Sequence, residues 1–104
     1  MNQFSIRLGI GINSTFSPQE LLRYAKEAER VGIDEFWLAE GYHNHTSTAA
    51  AAVIGNSTNK IRLGLGVLSP YTRHPLLTAM EVATLDEISH GRMTLAFGAV
   101  TSAI

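Results

Sequence analysis

The chain has 104 residues, room for one domain with one core. Its 45% hydrophobic and 16% charged content is that of an ordinary globular protein, not a disordered or fibrous one. A net charge of −1 with scattered Lys and Arg leaves no basic stripe to track phosphates, and no nucleic-acid partner is expected. The absence of cysteine excludes disulfides, thiolate catalysis and cysteine-ligated metals.

The stretch from Met1 to Arg7 has no basic region followed by a long apolar one, so it does not read as a secretory signal. No run approaches the roughly 18 apolar residues needed to span a bilayer. The expectation is a cytoplasmic protein with no membrane partner.

The first strand is predicted from Phe4 to Ile12, with Ile6, Leu8, Ile10 and Ile12 on one face and Gly9 and Gly11 on the other. Ser17-Pro18-Gln19-Glu20 opens a helix: Ser17 caps, Pro18 suits the first helical position, and Glu20 completes a capping box. Leu21, Ala25 and Ala28 follow at helical spacing, and Gly32 stops the helix. Glu35 to Ala39 is the second strand, Thr46 to Ser57 an Ala-rich helix, and Ile61 to Leu68 the third strand. A helix from Leu76 to Ile88 has Leu76, Ala79, Met80 and Ala83 as its apolar stripe, with Gly91 ending it. Met93 to Phe97 is the fourth strand.

The order is therefore βαβαβαβ, an α/β pattern of four parallel strands with helices packed outside. Crossovers of this kind are right-handed. Spacing alone leaves two architectures open, a doubly wound sheet and part of a closed barrel.

Three features could carry chemistry. The first is the glycines. Gly9 with Gly11 and Gly64 with Gly66 sit two apart inside strands, and Gly98 closes the fourth strand. A strand glycine marks a bulge, a bend or the close approach of a ligand; otherwise it only lets barrel strands bend and pack. Gly66 stands out because it lies at a strand's carboxyl end, where parallel α/β proteins place their sites.

The second feature is Glu40-Gly41-Tyr42-His43-Asn44-His45, after the second strand, where a carboxylate, imidazoles and a phenol could bind a polar ligand or move a proton. The alternative is a solvated loop. His43 and His45 lack an evident third ligand, so no metal site is expected. The third feature is the loop from Ser69 to Pro75, where Arg73 could meet an anionic group. His74 or Thr72 reads equally as a helix cap there, and His90 as an ordinary helix C-terminus. No Walker loop, GxGxxG after a strand, HExxH or GxSxG is present.

The block Asn59-Lys60-Ile61-Arg62-Leu63-Gly64-Leu65-Gly66-Val67-Leu68-Ser69-Pro70-Tyr71-Thr72-Arg73-His74-Pro75 resembles the third-strand signature of the luciferase-like monooxygenase family. Ala83-Thr84-Leu85-Asp86-Glu87-Ile88-Ser89-His90-Gly91-Arg92, followed by Leu95-Ala96-Phe97-Gly98, resembles its next signature. The nearest branch is the deazaflavin-dependent one that includes methylenetetrahydromethanopterin reductase, and the match runs along essentially the whole chain. The resemblance implies a (β/α)8 TIM barrel that binds coenzyme F-420, a deazaflavin, or FMN at its carboxyl end. The cofactor carries the hydride, and the protein supplies orientation and electrostatics. It also implies a bulge ending the third strand, with a non-proline cis peptide between Gly66 and Val67 behind the cofactor ring.

On this resemblance Gly66, Val67, Gly98 and Glu40 are the expected cofactor contacts, Glu40 the catalytic group and Arg73 a substrate contact. Glu40 stands where relatives often carry Asp, and Gly41 where they often carry His. Gly11 replaces a first-strand glutamate of the reductase, which argues against the same pterin chemistry, and Val100 replaces a glycine after the fourth strand. The implied reaction is hydride transfer between the ring and a small carbonyl, alcohol or imine substrate.

Such a barrel needs about 250 residues. Residues 1–104 are thus expected to form a single truncated domain, the N-terminal half of the barrel. The first and fourth strand edges would be unpaired, and inward-facing Ile, Leu and Val would lack the opposite half. A homo-oligomer, or a partner supplying the missing half barrel, is expected. The alternative function is a catalytically inactive remnant or split half that folds by oligomerisation.

Overall fold

A computed structural model describes residues 5–13 and 15–99. The elements run β1 (Gly9–Ile12), α1 (Pro18–Arg30), β2 (Glu35–Leu38), α2 (Ser47–Ser57), β3 (Arg62–Leu68), α3 (Pro75–Ile88) and β4 (Met93–Phe97). All seven elements match expectation within a residue or two at each end except β1, which starts at Gly9 rather than Phe4. Phe4 itself lies outside the described residues, as does Val100. Before Gly9 the chain is tied to the next segment by single bonds: Leu8 N–H donates to Asp34 Oδ2 (2.9 Å), and Leu8 C=O accepts from Asp34 and Glu35.

The sheet order is β1-β2-β3-β4, every pair parallel. Each strand is added beside its predecessor on the same side, with α1 packed on α2 and α2 on α3. A doubly wound sheet would reverse its strand order; this one advances steadily, as barrel strands do. The result is a four-stranded portion of an α/β barrel wall, with its helices on one face.

The helix-facing side of the sheet holds the core. Phe36, Leu38, Leu63, Leu65 and Leu68 are buried against Leu21, Ala25 and Ala28 of α1 and Ala50, Ala51 and Ile54 of α2. Each large side chain buried there contributes about 1.5–3 kcal/mol. The capping box of α1 forms as expected: Glu20 N–H donates to Ser17 Oγ (3.2 Å) and Ser17 N–H to Glu20 Oε1 (3.1 Å). Gly32, at φ +90°, takes the left-handed turn after α1 that a side chain would resist.

Two expectations about apolar faces are corrected. The inner face does not present Ile, Leu and Val. It presents Gly9 and Gly11, Glu35 and Trp37, Arg62, Gly64 and Gly66, and Thr94 and Ala96, because, apart from Val67, the strands' Ile, Leu and Val residues turn to the helices. The predicted α3 stripe of Leu76, Ala79, Met80 and Ala83 stands exposed, and the helix buries Thr78 and Leu85 instead. With Leu77, Val82 and Ile88 also present, α3 is apolar on several sides, so its periodicity does not select the packed one.

The amino end of the β3–β4 pair is fastened by Arg92, a buried side chain. Its guanidinium donates to the carbonyls of Gly55 (2.8 Å), Thr58 (2.9 Å), Ile61 (2.9 Å) and Ser89 (2.6 Å), and to Thr58 Oγ1 (2.9 Å). A cation among the last carbonyls of α2 suits the negative end of that helix. Close by, Glu29 Oε2 accepts the backbone N–H groups of Asn59 (2.9 Å), Lys60 (2.6 Å) and Ile61 (2.9 Å), tying the end of α1 to the turn before β3. Burial pushes the Glu29 carboxyl up, but the three amides and the charge of Arg92 outweigh it and leave it below the ordinary carboxylate range.

Candidate functional site

Parallel strands carry their loops to a common carboxyl end, and here that end holds a cleft of about 230 Å³. Glu40, Gly41, Tyr42, His43, Asn44 and Thr46 line one wall, and Val67, Ser69, Thr72 and Arg73 the other. Glu40, Val67 and Arg73, far apart in sequence, are thereby brought together. Gly66 precedes Val67 near the end of β3, and Gly98, just after β4, stands beside Val67.

The end of β3 is irregular. Gly66 pairs with Ala96 and Leu68 with Phe97, so Val67 is an extra residue in the ladder, a bulge. The Gly66–Val67 peptide is cis, as the resemblance implied. Val67 turns its side chain out of the sheet and remains 41% exposed. Gly98 N–H donates to Leu68 C=O (3.0 Å), holding the two strand ends together. A Cβ at Gly98 would come within 2.9 Å of Val67 Cγ1, so glycine leaves room for that side chain.

The Glu40 carboxylate joins three elements. Its Oε1 accepts from Ser47 N–H (2.9 Å) and Ser47 Oγ–H (3.1 Å), and its Oε2 from Arg73 Nη1 (3.0 Å). Thr46 at the N-cap of α2 makes no side-chain capping bond, and Glu40 satisfies the first amide in its place. A carboxylate at a helix N-terminus is favoured by the exposed N–H groups there.

Arg73 is held between two carboxylates. Besides Glu40, its Nε lies 2.9 Å from Glu81 Oε1, close enough to pair although not aligned as a hydrogen bond. Its loop is wound on Ser69, whose carbonyl accepts Arg73 N–H (3.2 Å) and whose Oγ accepts Tyr71 N–H (3.1 Å). An anion reaching Arg73 would compete with both carboxylates. His74 caps α3, its Nδ1 accepting Leu76 N–H (3.0 Å), so the simpler reading of that histidine holds. His43 lines the cleft in a left-handed turn (φ +66°), while His45 does not line it.

Sequence reasoning missed Trp37. Its indole lies over Gly64, where a Cβ would meet Cδ2 at 2.2 Å, and reaches Gly66, where a Cβ would meet Cε3 and Cζ3 at 3.0 Å. Its Nε1 donates to Glu35 Oε1 (2.9 Å). Gly64 is thus required by a neighbouring side chain rather than by a ligand. The signal was in the parallel register, which sets Trp37 directly beside Gly64 and Gly11. Ser47 and Glu81, which hold Glu40 and Arg73, carried no comparable signal.

Among the described residues no helix is long and apolar enough to cross a membrane. The family model for luciferase-like monooxygenases matches residues 3–104. The 5,10-methylenetetrahydromethanopterin reductase of Methanopyrus kandleri is 37% identical over 93 residues, covering 89% of this chain and 27% of the relative. The solved structure of coenzyme F420-dependent tetrahydromethanopterin reductase from Methanopyrus kandleri superposes with a TM-score of 0.86 at 36% identity, over 91% of this chain and 27% of that one. The oxygenating constituent of 3,6-diketocamphane monooxygenase from Pseudomonas putida, solved in complex with FMN, gives a TM-score of 0.86 at 19% identity. It covers 95% of this chain and 31% of that one, a likeness of fold. The chain therefore spans about 27% of the length of the reductase it matches.

Proposed function

The chain belongs to the luciferase-like monooxygenase family, and from that premise we propose that it forms the ring-binding wall of a flavin- or deazaflavin-dependent oxidoreductase. The supporting observation is the β3 bulge at the carboxyl end of the sheet. There Gly66 offers bare backbone, Val67 projects beside it, and Gly98 leaves that projection unobstructed. A planar tricyclic ring can rest on such a surface, bare backbone with one short side chain beside it, next to a cleft with polar walls. These residues fit coenzyme F-420 or FMN.

When bound, the cofactor supplies hydride transfer to or from a small organic substrate. The chain's own residues bind and orient. Gly66 and Val67 back the ring, and Gly98 allows close approach from β4. Glu40, fixed by Ser47 and Arg73, points its charge into the cleft beside the ring. There it serves to polarise a substrate group or exchange a proton with it. Arg73 holds Glu40 in place and offers its guanidinium to an anionic substrate group, at the cost of loosening a carboxylate. The β1 and β4 edges are unpaired among the described residues. The rest of a barrel, a second copy or a partner chain would cover them and complete the substrate pocket.

Titration of the protein with coenzyme F-420 and with FMN, at known mass in solution, tests the reading. Saturable micromolar binding to either supports it. A folded sample that binds neither would leave the inactive-remnant reading standing in its place.

A further inference from the structure

We propose that the Trp37 indole is the floor of the ring site and sets how deeply the cofactor ring enters the barrel. This rests on the cofactor reading above.

The indole is fixed at both ends. At its polar edge Nε1 donates to Glu35 Oε1, and Glu35 Oε2 is paired with Arg7 Nη1 at 3.5 Å. Along its length it lies on Gly64, which has no side chain to lift it off the sheet. Its benzo edge ends against Gly66, the same residue whose backbone is assigned to the ring. The polar end of the indole therefore faces the amino end of the sheet, and its apolar π edge faces the site. Trp37 is half-buried, one face on Gly64 and the other turned to the barrel interior.

This end of the inner face carries little else. Next to Gly66 stands Ala96, whose Cβ is 3.5 Å from the place a Gly66 Cβ would take. A flat aromatic ring lowered onto Gly66 meets the benzo edge of Trp37 as well as the side chain of Val67. Ring edge against ring is a favoured aromatic arrangement, while the same surface offers nothing to a phosphate or sugar. Trp37 is a positioning residue in this scheme: it moves no proton and sets the depth and tilt at which the ring rests.

The test uses the full chain, with whichever of coenzyme F-420 and FMN the wild type binds. Cofactor fluorescence polarisation reads affinity, the absorption spectrum reads the ring's surroundings, and thermal unfolding reads the fold. Trp37→Phe keeps an aromatic ring but withdraws the edge that reaches Gly66. It is expected to weaken binding about three- to tenfold and to move the bound-cofactor spectrum toward that of the free cofactor. A folded Trp37→Phe with unchanged affinity and spectrum overturns the proposal and leaves the cofactor reading intact.

If that variant does not fold, the wild type decides, because Trp37 is the single tryptophan. Its emission should be almost fully quenched along the same saturation curve as the cofactor signal. Emission that persists at saturation overturns the floor. A wild type that binds neither cofactor removes the cofactor reading itself, and the floor with it.

Discussion

The indole of Trp37 occupies the space in which a side chain on Gly64 would begin, with Cδ2, Cε2 and Cε3 all within 2.4 Å of that point. The ring is rigid and is tethered through Nε1 to Glu35, so it cannot yield by a small rotation. Gly64→Ala is therefore expected to destabilise the protein by about 1–3 kcal/mol through overpacking. In a Trp37→Ala background the same substitution should cost far less, and the difference is a coupling energy measurable by urea denaturation of the four proteins. Equal costs in both backgrounds would mean that the ring is not what makes position 64 a glycine.

Arg92 fastens the opposite end of the sheet. Removing its guanidinium leaves the buried carbonyls of Gly55, Thr58, Ile61 and Ser89 short of a donor. Arg92→Met should cost about 3 kcal/mol or more, since unsatisfied buried acceptors lose about 1–3 kcal/mol each before relaxation. Arg92→Lys should recover less than half of that, because an ammonium cannot span the planar fan of acceptors that the guanidinium reaches. Chemical denaturation checks both, and a cost below 1 kcal/mol for Arg92→Met would contradict the role. The motif Ser89-His90-Gly91-Arg92 then serves the fold, at a distance from the cleft.

Glu29 gives a pH signature. Its carboxyl is held below the ordinary range in the folded chain, so the folded state binds that proton less readily than the unfolded state does. The resulting stability is fully present above the unfolded value, about 4.3, and is lost as pH falls through the lower folded value. Glu29→Gln keeps an acceptor but loses the charge that strengthens its bonds to the three amides. It should cost about 1 kcal/mol at neutral pH. The gap between wild type and variant should close as the pH is lowered below about 4. A gap independent of pH would show that shape rather than charge is what the variant lost.

The order and placement of the elements were legible because α1 and α3 carry punctuation of their own, while α2 was legible only as an Ala-rich run. The Ser17–Glu20 capping box, Pro18, Gly32 and Gly91 fix starts and stops locally. The choice of a barrel over a doubly wound sheet was not legible from spacing, since it depends on which side each new strand joins. Nor was the buried side of α3, where Leu76, Leu77, Met80, Val82 and Leu85 spread apolar surface around the helix. The site divides the same way. Glu40, Arg73 and Gly66 stood out as polar groups and a glycine at strand ends. Trp37 reads as an ordinary strand aromatic until the register sets it beside Gly64 and Gly66.

Glu40 and Arg73 form a partly shielded pair at 3.0 Å, with side chains 18% and 12% exposed. Arg73→Met should cost more than Glu40→Gln, because it leaves both Glu40 and Glu81 without their cation, whereas the glutamine can still accept from Ser47. A double-mutant cycle with these two substitutions should yield a coupling of about 1 kcal/mol, at the upper end for pairs near the surface. A coupling near zero would mean that the two side chains share the cleft without holding one another. A substrate anion reaching Arg73 would then compete with Glu81 alone.

Gly98 separates binding from stability. A methyl group there would come within 2.9 Å of Val67 Cγ1, the end of a short side chain that is itself 41% exposed and has room to turn. Gly98→Ala should therefore change folding stability by less than about 1 kcal/mol, since an exposed branch can move aside. Val67 lines the cleft, so its displacement alters the surface assigned to the cofactor ring. Affinity for coenzyme F-420 or FMN is thus expected to fall several-fold, equivalent to about 1 kcal/mol, with the melting temperature nearly unchanged. If both quantities fall together, Gly98 serves the packing of β3 on β4. If neither falls, the ring does not rest against Val67, and the assignment of the bulge as its backing surface would have to be withdrawn.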